Sequence, residues 1–200
     1  MTTPTEWMKD EYNDLVSKGF DWKPPVIGGP STGRAIIDGK KRIMLCANNY
    51  LSMSNHPKVK QAAIDAVKSH GAGSGSVRPI AGNMDIHNEL EDTIARFKNR
   101  EAALYYQTGF AVNSGLIPQL AGKNDSIISD QLNHGSIIDG VRLSGVKKEN
   151  RTIYAHNDMG ELEDRLKEAT KKCEKTLVIS DGVFSMDGDI APLDQITKLA

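Results

Sequence analysis

Apolar positions along this chain recur with two alternating periods. Stretches with apolar residues three and four apart alternate with short continuous apolar runs, and Gly, Pro, Asn and Asp punctuate the joins. Helical spacing predicts helices over 6–17, 57–70, 86–97, 110–120, 135–143 and 159–170. Strand-like runs fall at 34–37, 42–46, 102–106, 126–129, 152–154 and 175–179. The last, Lys175-Thr176-Leu177-Val178-Ile179, has no polar alternation, as expected inside a parallel sheet covered on both faces. Asp38-Gly39-Lys40-Lys41 separates two of the runs and carries a hairpin signal. Lys23-Pro24-Pro25-Val26-Ile27-Gly28-Gly29-Pro30 reads as an extended arm. Repeated strand-helix units predict an α/β fold, a mostly parallel sheet with right-handed crossovers and helices on both faces. Residues 1–45 supply a helix, the arm and the hairpin; residues 46–200 supply the α/β domain.

The chain's 200 residues, 38% apolar and 26% charged with a net charge of −1, suit a soluble globular chain large enough for a real core. Lys147-Lys148 and Lys171-Lys172 are isolated pairs, which gives no footprint for nucleic acid. No apolar stretch approaches the length of a membrane helix, and the first residues lack the basic and apolar regions of a signal peptide, so a cytoplasmic location is expected. Cys46 and Cys173 lie far apart and suit two free thiols. Neither has His or acidic neighbours at metal-ligand spacing, so no metal is expected.

Chemistry in such a sheet belongs at the carboxyl ends of the strands. Ser180-Asp181-Gly182-Val183-Phe184-Ser185-Met186-Asp187-Gly188 follows the last strand, placing Asp181 and Ser185 to meet a ligand or to form an ordinary turn. Tyr106-Gln107-Thr108-Gly109-Phe110 passes from strand to helix, where the N–H groups of Thr108, Gly109 and Phe110 suit a phosphate and Thr108 suits a simple cap. Asn133-His134-Gly135-Ser136 places His134 where an imidazole can stack on a flat ring, move a proton or cap a helix. Ala47-Asn48-Asn49-Tyr50-Leu51 offers amides for a carboxylate, though paired asparagines are also turn chemistry. The loop Gly71-Ala72-Gly73-Ser74-Gly75-Ser76-Val77-Arg78 follows a helix, so its glycines are not a dinucleotide fingerprint, and no P-loop lysine accompanies them.

In order and wording, from about Met44 to the end, these segments resemble the α-oxoamine synthase family of pyridoxal-phosphate enzymes. The stretches Ala47-Asn48-Asn49-Tyr50-Leu51, Asn133-His134-Gly135-Ser136-Ile137-Ile138-Asp139-Gly140-Val141-Arg142-Leu143 and Asp181-Gly182-Val183-Phe184-Ser185-Met186-Asp187-Gly188 carry the likeness. They are most similar to the glycine C-acetyltransferase branch. The 8-amino-7-oxononanoate synthase and 5-aminolevulinate synthase branches are the alternatives, and a non-catalytic remnant that binds the cofactor or only dimerises is the alternative of another class.

The resemblance implies fold type I, a homodimer with sites at the subunit interface, and condensation of an amino acid with an acyl-CoA, here glycine with acetyl-CoA. It implies that Thr108, Gly109 and Phe110 cradle the cofactor phosphate, that His134 stacks on its ring and that Ser185 bonds its phenolic oxygen. Asn48 is then expected to hold the substrate carboxylate, with Ser76, Val77 and Arg78 near the acyl-CoA entrance. The resemblance also implies that the Schiff-base lysine, the aspartate for the ring nitrogen and the carboxylate-binding arginine all lie beyond Ala200. Pro192, Leu193, Ile196 and Leu199 begin an amphipathic helix with no stop signal before that point. The expectation is an N-terminal half carrying an incomplete large domain. The 200-residue chain alone is therefore expected to release no measurable CoA from glycine and acetyl-CoA, and a normal turnover rate in a thiol-release assay would refute this.

Overall fold

A computed structural model describes residues 3–200. Chain contacts divide it into two compact units, Met1–Asp85 and Ile86–Ala200, a division well past the 45/46 boundary drawn from sequence.

The first unit opens with α1 (Glu6–Ser17), which buries none of its residues and leaves Trp7, Met8, Tyr12 and Leu15 exposed. A three-stranded antiparallel sheet follows, β1 (Ile27–Gly28), β2 (Arg34–Ile37) and β3 (Lys40–Ile43), in that order. The arm therefore contributes a strand. The hairpin is tighter than its sequence suggests, because Asp38 and Gly39 both take positive φ, 49° and 74°. Two such residues make a two-residue turn whose twist matches the strands, and Ile37 then faces Lys40 directly. The strand expected at 42–46 consequently runs from Lys40 to Ile43, with Leu45 and Cys46 outside it. Helix α2 (Pro57–His70) starts where Pro57 supplies the first turn and His56 Nδ1 accepts the Lys58 N–H.

The second unit holds most of α3 (Asp85–Lys98), then α4 (Gly109–Leu120), β4 (Ser126–Asp130), α5 (Gly135–Leu143), β5 (Arg151–Tyr154), α6 (Met159–Ala169), β6 (Thr176–Ile179) and α7 (Leu193–Leu199). The three strands are parallel in the order β5-β4-β6. No strand forms at 102–106. The Tyr105 N–H, which a ladder would need, instead goes to the Glu91 carboxylate of α3 at 2.8 Å.

Neighbouring residues of β4 serve opposite faces. Ile127 packs with Ile117, Ala121, Ile137 and Val146, which puts α4 and α5 on one side. Ile128 packs with Leu162, Ala169, Phe184 and Ile196, which puts α6 and α7 on the other. From β4 to β5 the chain crosses on the first side; from β5 to β6 it returns past β4 on the second. Reversing direction and face together keeps both crossovers the same hand. Loops leaving β4 and β6 therefore diverge, opening a crevice at their carboxyl ends.

Helices α4 and α5 touch through Gly140, where a Cβ would collide with the Asn113 carbonyl and the Ile117 side chain. Gly140→Val is expected to cost about 1–3 kcal/mol by overpacking. Gly145→Ala, which adds a methyl to nearly open space, should change the urea midpoint little and serves as the reference.

Candidate active site

Polar residues gather at the crevice because the strand ends must satisfy their last backbone groups. The buried Asn133 does so for two strands at once. Its Nδ2 donates to Ser129 Oγ at 2.9 Å and to the Ile179 carbonyl at 2.8 Å, while its Oδ1 accepts the Asp181 N–H at 2.7 Å. Asp181 answers across the crevice, its Oδ2 accepting the His134 N–H at 2.8 Å. The loops after β4 and β6 are thus stitched together by a reciprocal pair of side chains, and one carboxylate oxygen of Asp181 is committed to this link.

His134 caps α5. Its Nδ1 accepts the Ser136 N–H at 3.1 Å and lies 2.7 Å from Ser136 Oγ, which in turn accepts from Asn113 Nδ2 of α4 at 2.9 Å. With Nδ1 occupied as an acceptor, the neutral ring carries its proton on Nε2. The residue is exposed, so capping uses one ring nitrogen and leaves the other, with the ring itself, facing outward. Asn113 and Ser136 also hold the start of α5 beside the first turns of α4.

Helix α4 begins at Thr108, whose Oγ1 accepts the Ala111 N–H at 3.0 Å. Among the described residues the N–H groups of Gly109 and Phe110 have no acceptor, and a Cβ built on Gly109 would meet nothing within 4 Å. Two open donors at the positive end of a twelve-residue helix, with clear space before them, suit an anion. Thr108 is both a cap and part of that cradle. Open donors beside an exposed imidazole fit a phosphorylated flat ring, the chemistry expected of pyridoxal phosphate.

Ser185 sits on a small hairpin closed by a bridge between Val183 and Ile190. Phe184 points inward and is buried, while Ser185 points outward, its hydroxyl bonded to no described residue. The groups holding this hairpin escaped the sequence reading. His156 Nδ1 lies 2.9 Å from Asp130 Oδ1 and its Nε2 lies 2.6 Å from Asp189 Oδ2. Asp130 also accepts the N–H groups of Leu132 and Asn157. Only the sequence Ala155-His156-Asn157-Asp158 at the end of a strand could have flagged this cluster.

The remaining expected residues lie in the first unit. Asn49 is the turn residue of its pair, donating to Ser31 O and Ser54 Oγ and accepting the Ser54 N–H. Asn48 is exposed and uncommitted among the described residues. Ser76 and Val77 are exposed, and a Cβ at Gly82 would drive into the Ser76 carbonyl, so glycine holds that loop closed. Arg78 turns its Nε and Nη2 onto Asn83 Oδ1 at 2.9 and 2.7 Å. Among the described residues no group of His, Cys, Asp and Glu could hold a metal ion, and no helix is long and apolar enough to cross a membrane.

An 8-amino-7-oxononanoate synthase from Alkaliphilus metalliredigens is 51% identical over 195 residues, covering 98% of this chain and 49% of that protein. One of the same name from Treponema denticola is 49% identical with the same coverage. A solved serine palmitoyltransferase from S. paucimobilis, with PLP bound together with myriocin, matches with a TM-score of 0.85 and 32% identity over 98% of this chain and 49% of that one. This chain spans about half the length of the curated relatives it matches. Those relatives do not carry the glycine C-acetyltransferase name to which the motif wording leaned. The fold is that of the pyridoxal-phosphate-dependent transferases. A family model described as aminotransferase class I and II matches residues 40–200, and the chain belongs to that pyridoxal-phosphate-dependent family.

Proposed function

We propose that the chain is the cofactor-phosphate and ring-stacking portion of an acyltransferase of the α-oxoamine synthase type, with 8-amino-7-oxononanoate synthase as the specific reading. The observation that carries it is the open α4 N-terminus beside the exposed, Asp181-anchored His134. The relatives at about half identity support the choice of branch. Their name describes a nine-carbon acid with an amine beside a ketone. That skeleton is the Cα and Cβ of alanine joined to a seven-carbon acyl group ending in a carboxylate. Alanine and a long ω-carboxyacyl thioester are therefore proposed as substrates, the new carbon–carbon bond forming at the alanine α-carbon as the thiol leaves the acyl group and the alanine carboxylate departs as carbon dioxide. Glycine with acetyl-CoA, favoured by the wording of the 137–143 and 157–159 motifs, is the second reading.

Pyridoxal phosphate, when bound, supplies an electron sink for the carbanion formed at the amino acid α-carbon. The protein's own part is placement and charge. Gly109 and Phe110 N–H groups, with Thr108, hold the phosphate at the positive end of α4. The outward face of His134 stacks against the ring, and its fixed Nδ1 keeps the imidazole from turning. Ser185 donates to the phenolic oxygen. Asn48 is proposed for the substrate carboxylate and Ser76, Val77 and Arg78 for the acyl-CoA end, in a homodimer. The Schiff-base lysine is proposed to lie in the half of the relatives' length that this chain does not span.

Two measurements test this reading. Thr108→Ala is expected to cost about 1 kcal/mol of stability through the lost cap and to weaken pyridoxal phosphate binding, read by titrating the cofactor's absorbance; unchanged affinity would remove the α4 cradle. On the gene product containing this chain, CoA release should be faster with alanine and a seven-carbon ω-carboxyacyl thioester than with glycine and acetyl-CoA. The reverse preference would move the assignment to the second reading.

A further inference from the structure

At the carboxyl end of β4 a second polar cluster surrounds His156. Its ring faces carboxylates at both nitrogens, Asp130 from the end of β4 and Asp189 from the hairpin. The Asp130 side chain is wholly buried, His156 is 21% exposed and Asp189 40%. The Phe184 ring closes one side, edge to face with the imidazole, centroids 4.4 Å apart. An unprotonated Nε2 at 2.6 Å from a carboxylate oxygen would set lone pair against lone pair, so a proton must sit between them. Asp130 Oδ1 makes the same demand at Nδ1.

We propose that His156 is a positioning residue, a doubly protonated imidazolium that ties the Ser185 hairpin to the carboxyl ends of β4 and β5. The hairpin has few other anchors. Phe184 N–H bonds the Asp189 carbonyl, Gly188 N–H the Phe184 carbonyl and Ala191 N–H the Gly182 carbonyl, all within the loop region itself. What joins this loop to the sheet is the Phe184 ring and Ala191 in the core together with the Asp189 carboxylate, which accepts from His156 and from Asn157 Nδ2 at 3.0 Å. Ser185 directly follows the buried Phe184, so loosening this link frees its hydroxyl. That consequence for the cofactor rests on the function proposed above; the link itself does not.

The charged and titratable groups facing the ring are few. Asp130 comes from β4 and Asp189 from the hairpin. The Tyr154 hydroxyl of β5 lies near Asp130, and burial first, then the Asp130 charge, push it up to about 12, outside the range that matters. On α6, Glu161 is turned to the Ala155 N–H and to Arg165, away from the ring. Hydrogen bonds to Asp130 and then Asp189 hold the imidazole above its ordinary range, against the opposing effect of desolvation. A histidine that binds its proton more tightly when folded contributes stability that is complete below the free imidazole value. The contribution is lost as pH rises through the raised folded value. The hairpin should therefore be tightest below the range in which a free imidazole titrates and loosen as pH rises through the raised folded value.

The test is made on the full 200-residue chain. Long-range nitrogen-proton NMR of the histidine rings should show both His156 nitrogens protonated near neutral pH. Amide exchange, corrected for its intrinsic pH dependence, should show Phe184 and Gly188 losing about tenfold protection as the ring deprotonates. Asp189→Asn keeps an acceptor oxygen but no charge, so it should preserve protection at low pH and move the loss to lower pH. Asp189→Ala should lose protection throughout. Either His156 ring nitrogen without a proton near neutral pH would overturn the proposal in the unmodified chain. Hairpin protection equal to the parent's in a folded Asp189→Ala would also overturn it. Pyridoxal phosphate titration of the same samples separates the two readings: a parent chain with an intact link and no cofactor affinity would remove the site assignment and leave the link standing.

Discussion

Strand β4 is buried on both faces, and the other features of the second unit follow from that. Ile127 and Ile128 have no exposure at all, yet they belong to different cores because successive residues of a strand point to opposite sides. A strand enclosed in this way can meet solvent only at its ends. At its carboxyl end the last residues, Ser129 and Asp130, are polar and still buried, so each needs partners within the protein. Those partners are Asn133, His156 and the loops they belong to. The demand for satisfied polar groups at one strand end is therefore what shapes the crevice.

Two knots meet that demand with different physics. Asn133 and Asp181 join β4 to β6 mainly through amide and backbone groups, using both functions of the Asn133 side chain. Asp130, His156 and Asp189 join β4 to the hairpin after β6 through charged groups. The first knot fixes where His134 stands. The second fixes the loop that displays Ser185. Two side chains expected to face one cofactor are held by separate means, His134 by a carboxylate accepting its backbone N–H and the Ser185 loop by an imidazole set between two carboxylates.

Helix positions were legible where their own signals were local. Helix 135–143 has its boundaries in the sequence because His134 caps it, and helix 57–70 because His56-Pro57 opens it. Strand 102–106 was misread, since its apolar run satisfied the pattern but its amide proton found a side chain instead of a neighbouring strand. The hairpin was recognised from Asp38-Gly39, while its register depended on both residues taking positive φ. Among the expected site residues, His134 lies between a strand end and a helix start, while Thr108, Gly109 and Phe110 lie at a helix start that no strand precedes. Asp181 follows a strand end, but one oxygen of its carboxylate is committed to a backbone N–H.

The sequence by itself determined which positions are apolar, the order of the helices, and the loops that follow the strands ending near 129, 154 and 179. Those depend on neighbours a few residues apart, which is the range over which periodicity and capping act. Only the tertiary structure decided that Asn49 and not Asn48 is the turn residue, that His134 answers to Asp181, and that His156 bridges two carboxylates. Each of those bonds joins segments brought together by the strand order β5-β4-β6 or by the fold of the first unit. A local pattern cannot specify such a partner, because a hydrogen bond between distant segments forms only after the packing that places its two ends within 3 Å or so.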